Sequence, residues 1–238
     1  MRSITALKVS LPLAAAFCGA FAFAAPAEAS TIWVRDGNGG TVFNGGPGSV
    51  TLTVRVDGVN TTVQAGAFRL QYIFSEATPG GSAPGWTDFL TYCLEPDELL
   101  GISGSTPKKG SFSEGLAGTP YAADETALTR LVNTHFADSL TSATKSAAFQ
   151  VALWEVAYDA VADLGDGAFR YTASGAVRAQ ALAYLDEASW MAGTENLDVI
   201  LRIGSQDLIV QVPEPGTMAL LLAGLLGLGV AARRRHSA

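Results

Sequence analysis

The sequence predicts an α+β fold, in which a β-rich N-terminal part, central helices and a closing β-hairpin form a single domain. Three observations predict it. Apolar and polar residues alternate over residues 31–94, and apolar residues recur at helical spacing over residues 122–190. Two short apolar runs, residues 197–203 and 208–212, then flank a turn, which is typical of a hairpin.

The first part is predicted to consist of strands. Glycine-rich breaks at residues 37–40, 45–48 and 79–85 separate its runs, and a Gly, Ser and Pro-rich loop is predicted at residues 101–120. A third run over residues 89–94 places Cys93 at a strand end. The alternating apolar positions of the first two runs are Val50, Leu52, Val54 and Val56, then Phe68, Leu70, Tyr72 and Phe74.

The middle of the chain predicts three helices, at residues 122–136, 142–162 and 174–190. The second helix has an apolar stripe that includes Phe149 and Leu153. Glu155 and Asp159 lie one turn apart on the same helix, and we interpret them as a solvated face.

The N-terminus has the organisation of a secretory signal. A positively charged start leads into an apolar stretch, residues 9–25, and small residues follow up to Ala29. These features predict a signal peptide over residues 1–29 with cleavage between Ala29 and Ser30, although a cut after Ala24 also fits. The exported body then spans residues 30–211.

The C-terminus, residues 212–238, carries three features in order: a proline-flanked glutamate, an apolar run and a basic cluster. They comprise Pro213, Glu214 and Pro215, then residues 217–232, then Arg233, Arg234 and Arg235. At about 1.5 Å per residue the apolar run reaches roughly 24 Å as a helix, a little less than the hydrocarbon core of a bilayer. Because arginines favour the cytoplasmic side, the tail predicts a transmembrane helix with the body outside that membrane.

This three-part tail resembles the PEP-CTERM sorting signal of Gram-negative bacteria. The resemblance implies that an exosortase recognises and removes the tail, that the tail helix enters the inner membrane transiently, and that the body reaches the cell surface or an exopolysaccharide matrix. A plain C-terminal membrane anchor is the alternative.

The charge of the body limits its partners. The whole chain has 15 basic and 22 acidic residues; leader and tail hold five of the basic and two of the acidic ones, which leaves ten basic against twenty acidic. A net charge near minus ten argues against nucleic acid and against anionic surfaces as partners, because such binding depends on neutralising negative charge with basic side chains.

Cysteine use is the most informative chemical feature. Cys18 lies in the predicted leader, so Cys93 is the one cysteine that the exported body keeps. A single thiol outside the cell has no disulfide partner in its own chain. It is therefore buried and inert, paired between chains, or used for chemistry.

Two short motifs favour chemistry. Tyr92, Cys93 and Leu94 place an aromatic residue before the thiol, and Phe149, Gln150 and Trp154 place a glutamine on an apolar helix with an indole four positions on. This paired pattern resembles the thioester domains of bacterial surface proteins. The resemblance implies that the Cys93 sulfur attacks the Gln150 side-chain amide, expels ammonia and leaves an internal thioester.

The helix geometry is consistent with that role. Gln150 and Trp154 are one turn apart, so both side chains point to the same side, where Trp154, with Tyr92, can shield the acyl group from water. Such a thioester would join the protein permanently to an amine or hydroxyl on an extracellular protein or polysaccharide. Each molecule reacts once, so we expect neither a turnover enzyme nor a cofactor.

Two other interpretations stay open. In the first, Cys93 is a packed thiol in a non-covalent structural or carbohydrate-binding matrix protein. In the second, Cys93 and His135 form a cysteine hydrolase, although a surface histidine at a helix end explains His135 better. Glu95 is a candidate for polarising the site. No metal site is predicted, since one thiol and one histidine are too few ligands.

Overall fold

The structure is a computed structural model. It describes residues 31–37, 41–74, 85–102, 106–110, 125–159, 162–191, 197–202 and 205–211. The predicted signal peptide, its cleavage site and the predicted tail lie outside these residues. Within them the α+β class is confirmed.

The described residues form nine strands, three α-helices and one short 3-10 helix. The strands are β1 Thr31–Asp36, β2 Ser49–Val56, β3 Val59–Gly66, β4 Phe68–Phe74, β5 Thr87–Thr91, β6 Thr106–Gly110, β7 Phe169–Arg170, β8 Leu197–Arg202 and β9 Ser205–Gln211. The helices are α1 Glu125–Ser139, α2 Ala143–Tyr158, α3 Ala176–Tyr184 and the 3-10 turn Glu187–Ser189.

A six-stranded antiparallel sheet closes on itself. Its strand order is β5-β4-β1-β6-β8-β9, and the chain just after β5 pairs with β9 at the opposite edge. The seam consists of the antiparallel pair Cys93 and Leu208, with hydrogen bonds of 3.0 Å from Leu94 N to Asp207 O and from Ile209 N to Tyr92 O. Closure satisfies backbone groups that would otherwise lie unpaired at two sheet edges. Cys93 is therefore part of the seam.

A second sheet of three strands, in the order β3-β2-β7, lies against helix α2. The predicted alternation holds in β2, where Leu52, Val54 and Val56 are buried. Asp57 and Gly58 connect β2 to β3, and both have positive φ, 46° and 83°. Positive φ at both central residues gives the turn the twist that a two-residue hairpin needs, and glycine adopts it without strain.

Helix α2 is the centre of the core. Every residue from Ser146 to Ala157 is buried, so the helix has no solvated face, and it contacts both other helices and all three strands of the second sheet. Ser142 caps its N-terminus by accepting a hydrogen bond of 3.2 Å from Lys145 N. A helix buried on all sides must satisfy any polar side chain internally.

Two predicted helix ends were too late in the chain. Helix α2 ends at Tyr158, not at residue 162, because Asp159 is extended and its carboxylate accepts hydrogen bonds from Ala168 N and Phe169 N. Helix α3 ends at Tyr184, not at residue 190. There the indole N–H of Trp190 donates to Tyr184 O over 2.7 Å and so satisfies a terminal carbonyl.

The loop predicted at residues 101–120 was wrong in part, since it contains β6. This strand pairs with β1 on one side and with β8 on the other. Its sequence, with Pro107 and two lysines, has little strand character of its own. Pairing on both sides overrides that weak local preference.

Among the residues that the structure describes, no helix has both the length and the apolar character needed to cross a membrane. The predicted transmembrane helix at residues 217–232 is outside them.

Ser146 connects helix α2 to the seam and to Ala67, the residue between β3 and β4. Its hydroxyl accepts a hydrogen bond of 2.8 Å from Ala67 N and lies 3.1 Å from Tyr92 Oη. We expect Ser146→Ala to lower the free energy of unfolding by about 1 to 3 kcal/mol, because it leaves a buried N–H without its acceptor. Urea unfolding followed by circular dichroism measures the change. The exposed Ser174→Ala is the matched control, and equal effects of the two substitutions would contradict this role.

Candidate functional site

The backbone of Cys93 has one side free of strand partners. The neighbouring groups Tyr92 O and Leu94 N bond to β9, so by the alternation of a strand the N–H and C=O of Cys93 point the other way. Helix α2 lies on that side. Both groups are buried and need partners.

Gln150 supplies both partners. Cys93 N donates to Gln150 Oε1 over 3.2 Å, and Gln150 Nε2 donates to Cys93 O over 2.7 Å. The Cys93 sulfur lies 3.5 Å from the same Oε1. The carboxamide thus bonds to the Cys93 backbone as the main chain of a neighbouring strand would. The two residues that were predicted to react lie in contact.

Burial dominates the electrostatics of the thiol. It raises the pKa of Cys93 far above its usual range, and the negative charge of Glu95 adds to the rise. The indole N–H of Trp154, which is directed toward the sulfur, lowers the pKa in part. Trp154 Nε1 is buried and has no nitrogen or oxygen acceptor within the described residues. The thiol is therefore neutral at physiological pH.

Tyr92 lies on the helix side of the seam. Its hydroxyl is 2.7 Å from Ser139 Oγ, and burial raises its pKa to about 12. The ring packs edge-on against Phe136 and Phe149, with centroids 5.8 Å and 4.8 Å away. Tyr92 and Trp154 are both 1% exposed, so both lie in the dry core around Cys93.

Glu95 acts on the seam through the backbone. Its Oε2 accepts a hydrogen bond of 2.7 Å from Asp207 N, and its backbone carbonyl accepts one of 3.0 Å from Gln206 Nε2. These bonds hold the start of β9 against the segment that follows Cys93. Glu95 therefore fixes the seam in addition to influencing the thiol.

His135 contacts Tyr184 and Ser189. Its ring centroid is 4.7 Å from that of Tyr184, its Nε2 is 3.4 Å from Ser189 Oγ, and partial burial lowers its pKa. Within the described residues the structure gives it no hydrogen bond to Cys93. Over those same residues, no group of three or more His, Cys, Asp or Glu side chains is arranged to hold a metal ion.

The comparison with protein-family models matches the C-terminal tail. Residues 211–235 match the PEP-CTERM protein-sorting motif. The motif implies export, a membrane-anchoring C-terminal signal and recognition by an exosortase. No curated protein and no solved structure matched the chain. The resemblance of residues 30–211 to thioester domains therefore rests on the residues themselves.

Glu155, next to Trp154 on helix α2, contradicts the predicted solvated face. It is fully buried; Oε1 accepts a hydrogen bond of 2.6 Å from Asp163 N, and Oε2 has no partner in the described part of the chain. Burial raises its pKa to about 8, and the charges of Asp159 and Asp163 contribute. Sequence spacing gave no sign of this because the loop that covers Glu155 folds back from beyond the helix.

This buried carboxyl predicts a pH dependence of stability. Between its usual pKa of 4.5 and about 8 the folded protein binds more protons at Glu155 than the unfolded chain does. The free energy of unfolding should therefore fall as pH rises through that window. We expect Glu155→Gln, which keeps the acceptor for Asp163 N, to flatten this fall in urea unfolding at a series of pH values. A slope unchanged from that of the parent protein would contradict the assignment.

Proposed function

We propose that the exported, exosortase-sorted chain carries an internal thioester between Cys93 and Gln150, and that this thioester attaches the protein covalently to a nucleophile on a partner. The observation that supports it is the fixed, buried contact between the Cys93 sulfur and the Gln150 carboxamide. Apposition of this kind replaces a bimolecular encounter with a step inside one molecule.

Formation of the thioester is an acyl transfer from the amide nitrogen of Gln150 to the sulfur of Cys93. The Cys93 sulfur attacks Cδ of Gln150, the C–N bond breaks, and the thiol proton leaves with the nitrogen as ammonia. The products are one thioester and one NH₃, so the step needs no oxidant, metal or cofactor. The reaction takes place once, during or after folding, when the two side chains meet.

The backbone at Cys93 favours the transition state. As sulfur adds to Cδ, negative charge develops on Oε1, and Cys93 N already donates a hydrogen bond to that oxygen. A fixed N–H aimed at a developing oxyanion stabilises it most where water is excluded. The buried Trp154 N–H, which is directed toward the sulfur, is a second donor in the same dry region.

The proposed roles differ from those in a cysteine hydrolase, where the sulfur attacks the substrate. In the proposed reaction the protein supplies the electrophile: a target amine or hydroxyl attacks Cδ, the sulfur departs, and Gln150 ends as an amide or ester of the target. Thiolate is the better leaving group, so transfer to nitrogen runs downhill.

A second function is favoured by the same hydrogen bonds. The Gln150 carboxamide satisfies both backbone groups of Cys93, so it could serve only to fix helix α2 to the seam, with the thiol as packing. The chain would then be a non-covalent matrix protein. Both interpretations need the observed contact, and they differ in whether ammonia has been lost.

Intact mass spectrometry of the freshly purified full chain distinguishes them. We expect the protein to be lighter than its sequence mass by one ammonia, and incubation with methylamine should convert it to the methylamide while releasing one thiol that an alkylating reagent can label. Cys93→Ala and Gln150→Glu should show neither change. Gln71→Glu, at a glutamine remote from the thiol, is the matched control and should behave as the parent. Full sequence mass together with no methylamine adduct would refute the thioester.

Trp154 is expected to determine how long the thioester survives. Trp154→Phe keeps an aromatic ring beside Phe169, whose centroid is 5.8 Å from that of the indole, but it opens space near the acyl group. The variant should form the thioester and lose it to water faster than the parent, because water exclusion is what preserves an activated acyl group. Mass spectrometry over time follows the return of the missing mass as one water. Equal lifetimes in the two proteins would assign Trp154 a packing role alone.

A further inference from the structure

A row of polar side chains crosses three strands on the outer face of the six-stranded sheet. Arg35 on β1, Gln71 on β4 and Asp88 on β5 are directly in register. Arg35 Nε donates to Gln71 Oε1 over 2.9 Å, and Gln71 Nε2 donates to Asp88 Oδ1 over 2.8 Å. We call these three residues, with Arg69, the polar ladder.

Arg69 completes the ladder by donating to Asp88 Oδ2 over 2.9 Å. Hydrogen bonds from Gln71 and Arg69 lower the pKa of Asp88, so its carboxylate stays ionised. The ladder therefore holds two guanidinium groups and one carboxylate, a net charge of plus one on a body that is otherwise strongly acidic.

Arg35 is the unpaired cation of the ladder. Its guanidinium lies 4.0 Å from the centre of the Trp86 ring, which together with Gln71 fixes its orientation. Within the described residues it forms no ion pair, whereas Arg69 pairs with Asp88. Its Nε donates to Gln71, and within the described residues the terminal nitrogens of the guanidinium make no hydrogen bond.

Apolar surface flanks the ladder on the same face. Trp86 lies two residues before Asp88, and Trp33 lies two residues before Arg35; both indoles are partly exposed, while the intervening Val34 is buried. Beside Arg69 and Asp88, at the edge of this face, a cavity of about 590 Å³ opens toward the end of helix α1, where Phe136 and Leu140 line it. That volume is within the usual range for small-ligand sites.

The main chain at Gly37 packs against the middle of the ladder. A Cβ at this position would lie 2.9 Å from Gln71 Cγ and 3.5 Å from Asp88 Oδ1. This close approach favours glycine, and the packed main chain helps to hold Gln71 and Asp88 in place.

We propose that this face binds a polysaccharide that contains uronic acid residues. Planar aromatic rings can cover the apolar faces of pyranose rings, ionised Asp88 accepts hydrogen bonds from sugar hydroxyls, and Gln71 holds both neighbours in place. The available fork of Arg35 fits a carboxylate in a bidentate manner. Charge complementarity selects an acidic sugar, because a guanidinium without a partner favours an anionic group.

Binding at the polar ladder is a separate function from the proposed thioester and does not depend on it. Asp88 and Cys93 are separated by most of β5, so the ladder and the thiol occupy different parts of the sheet. The acidic body repels extended polyanions, and this repulsion is screened beyond about 8 Å at physiological salt. Binding is therefore expected to be local to the ladder and to weaken as salt rises.

Affinity electrophoresis of the full chain tests the proposal, with polygalacturonate in the gel and with dextran and fully methyl-esterified pectin as comparison gels. We expect retardation by polygalacturonate alone. Arg35→Gln and Trp86→Ala should weaken it about tenfold or more, the loss expected when one charge-assisted contact or its support is removed. Cys93→Ala should be retarded as the parent is.

Arg55→Gln is the matched control, because Arg55 is an exposed arginine on β2 of the other sheet and the substitution changes net charge equally. Near-ultraviolet circular dichroism establishes that each variant is folded. If Arg35→Gln is not folded, Arg69→Gln is used in its place. The proposal is overturned by absence of retardation in polygalacturonate, by equal retardation in dextran or esterified pectin, or by equal effects of Arg35→Gln and Arg55→Gln.

Discussion

The pair of hydrogen bonds between the Gln150 carboxamide and the Cys93 backbone is the contact on which the rest of the structure depends. It satisfies the polar groups of Cys93 that face away from the sheet, and it gives a helix buried on all sides a partner for its central amide. Without it, two backbone groups and one carboxamide would be buried without partners, each at a cost of about 1 to 3 kcal/mol. The same contact brings sulfur to an acyl carbon, so structural need and reactive geometry coincide.

The seam explains why the contact forms at Cys93. When the six-stranded sheet closes, Tyr92 O and Leu94 N bond to β9. The N–H and C=O of Cys93 therefore point away from β9, toward helix α2. Glu95 holds the start of β9, and Ser146 ties the helix to the connection between β3 and β4. The site is thus fixed by regular elements on both sides, as a pre-organised site requires.

The α+β order, the three helices and the hairpin follow from local periodicity, which the sequence displays directly. The pairing of Cys93 with Leu208 does not, because it joins residues 115 positions apart (208 minus 93) and no local signal encodes it. Strand β6 was missed for the same reason, since its pairing partners, not its residues, make it a strand. Glu155 was misjudged because the loop that buries it lies beyond the helix. For Cys93 and Gln150 the sequence did carry a signal, an isolated amide on an apolar helix and a single thiol.

A crystal structure of the freshly purified protein at atomic resolution tests directly whether the thioester exists. We expect continuous electron density from the Cys93 sulfur to Cδ of Gln150, no density for the amide nitrogen, and Oε1 still within hydrogen-bonding distance of Cys93 N. Separate side chains with a complete Gln150 carboxamide would show that no thioester has formed.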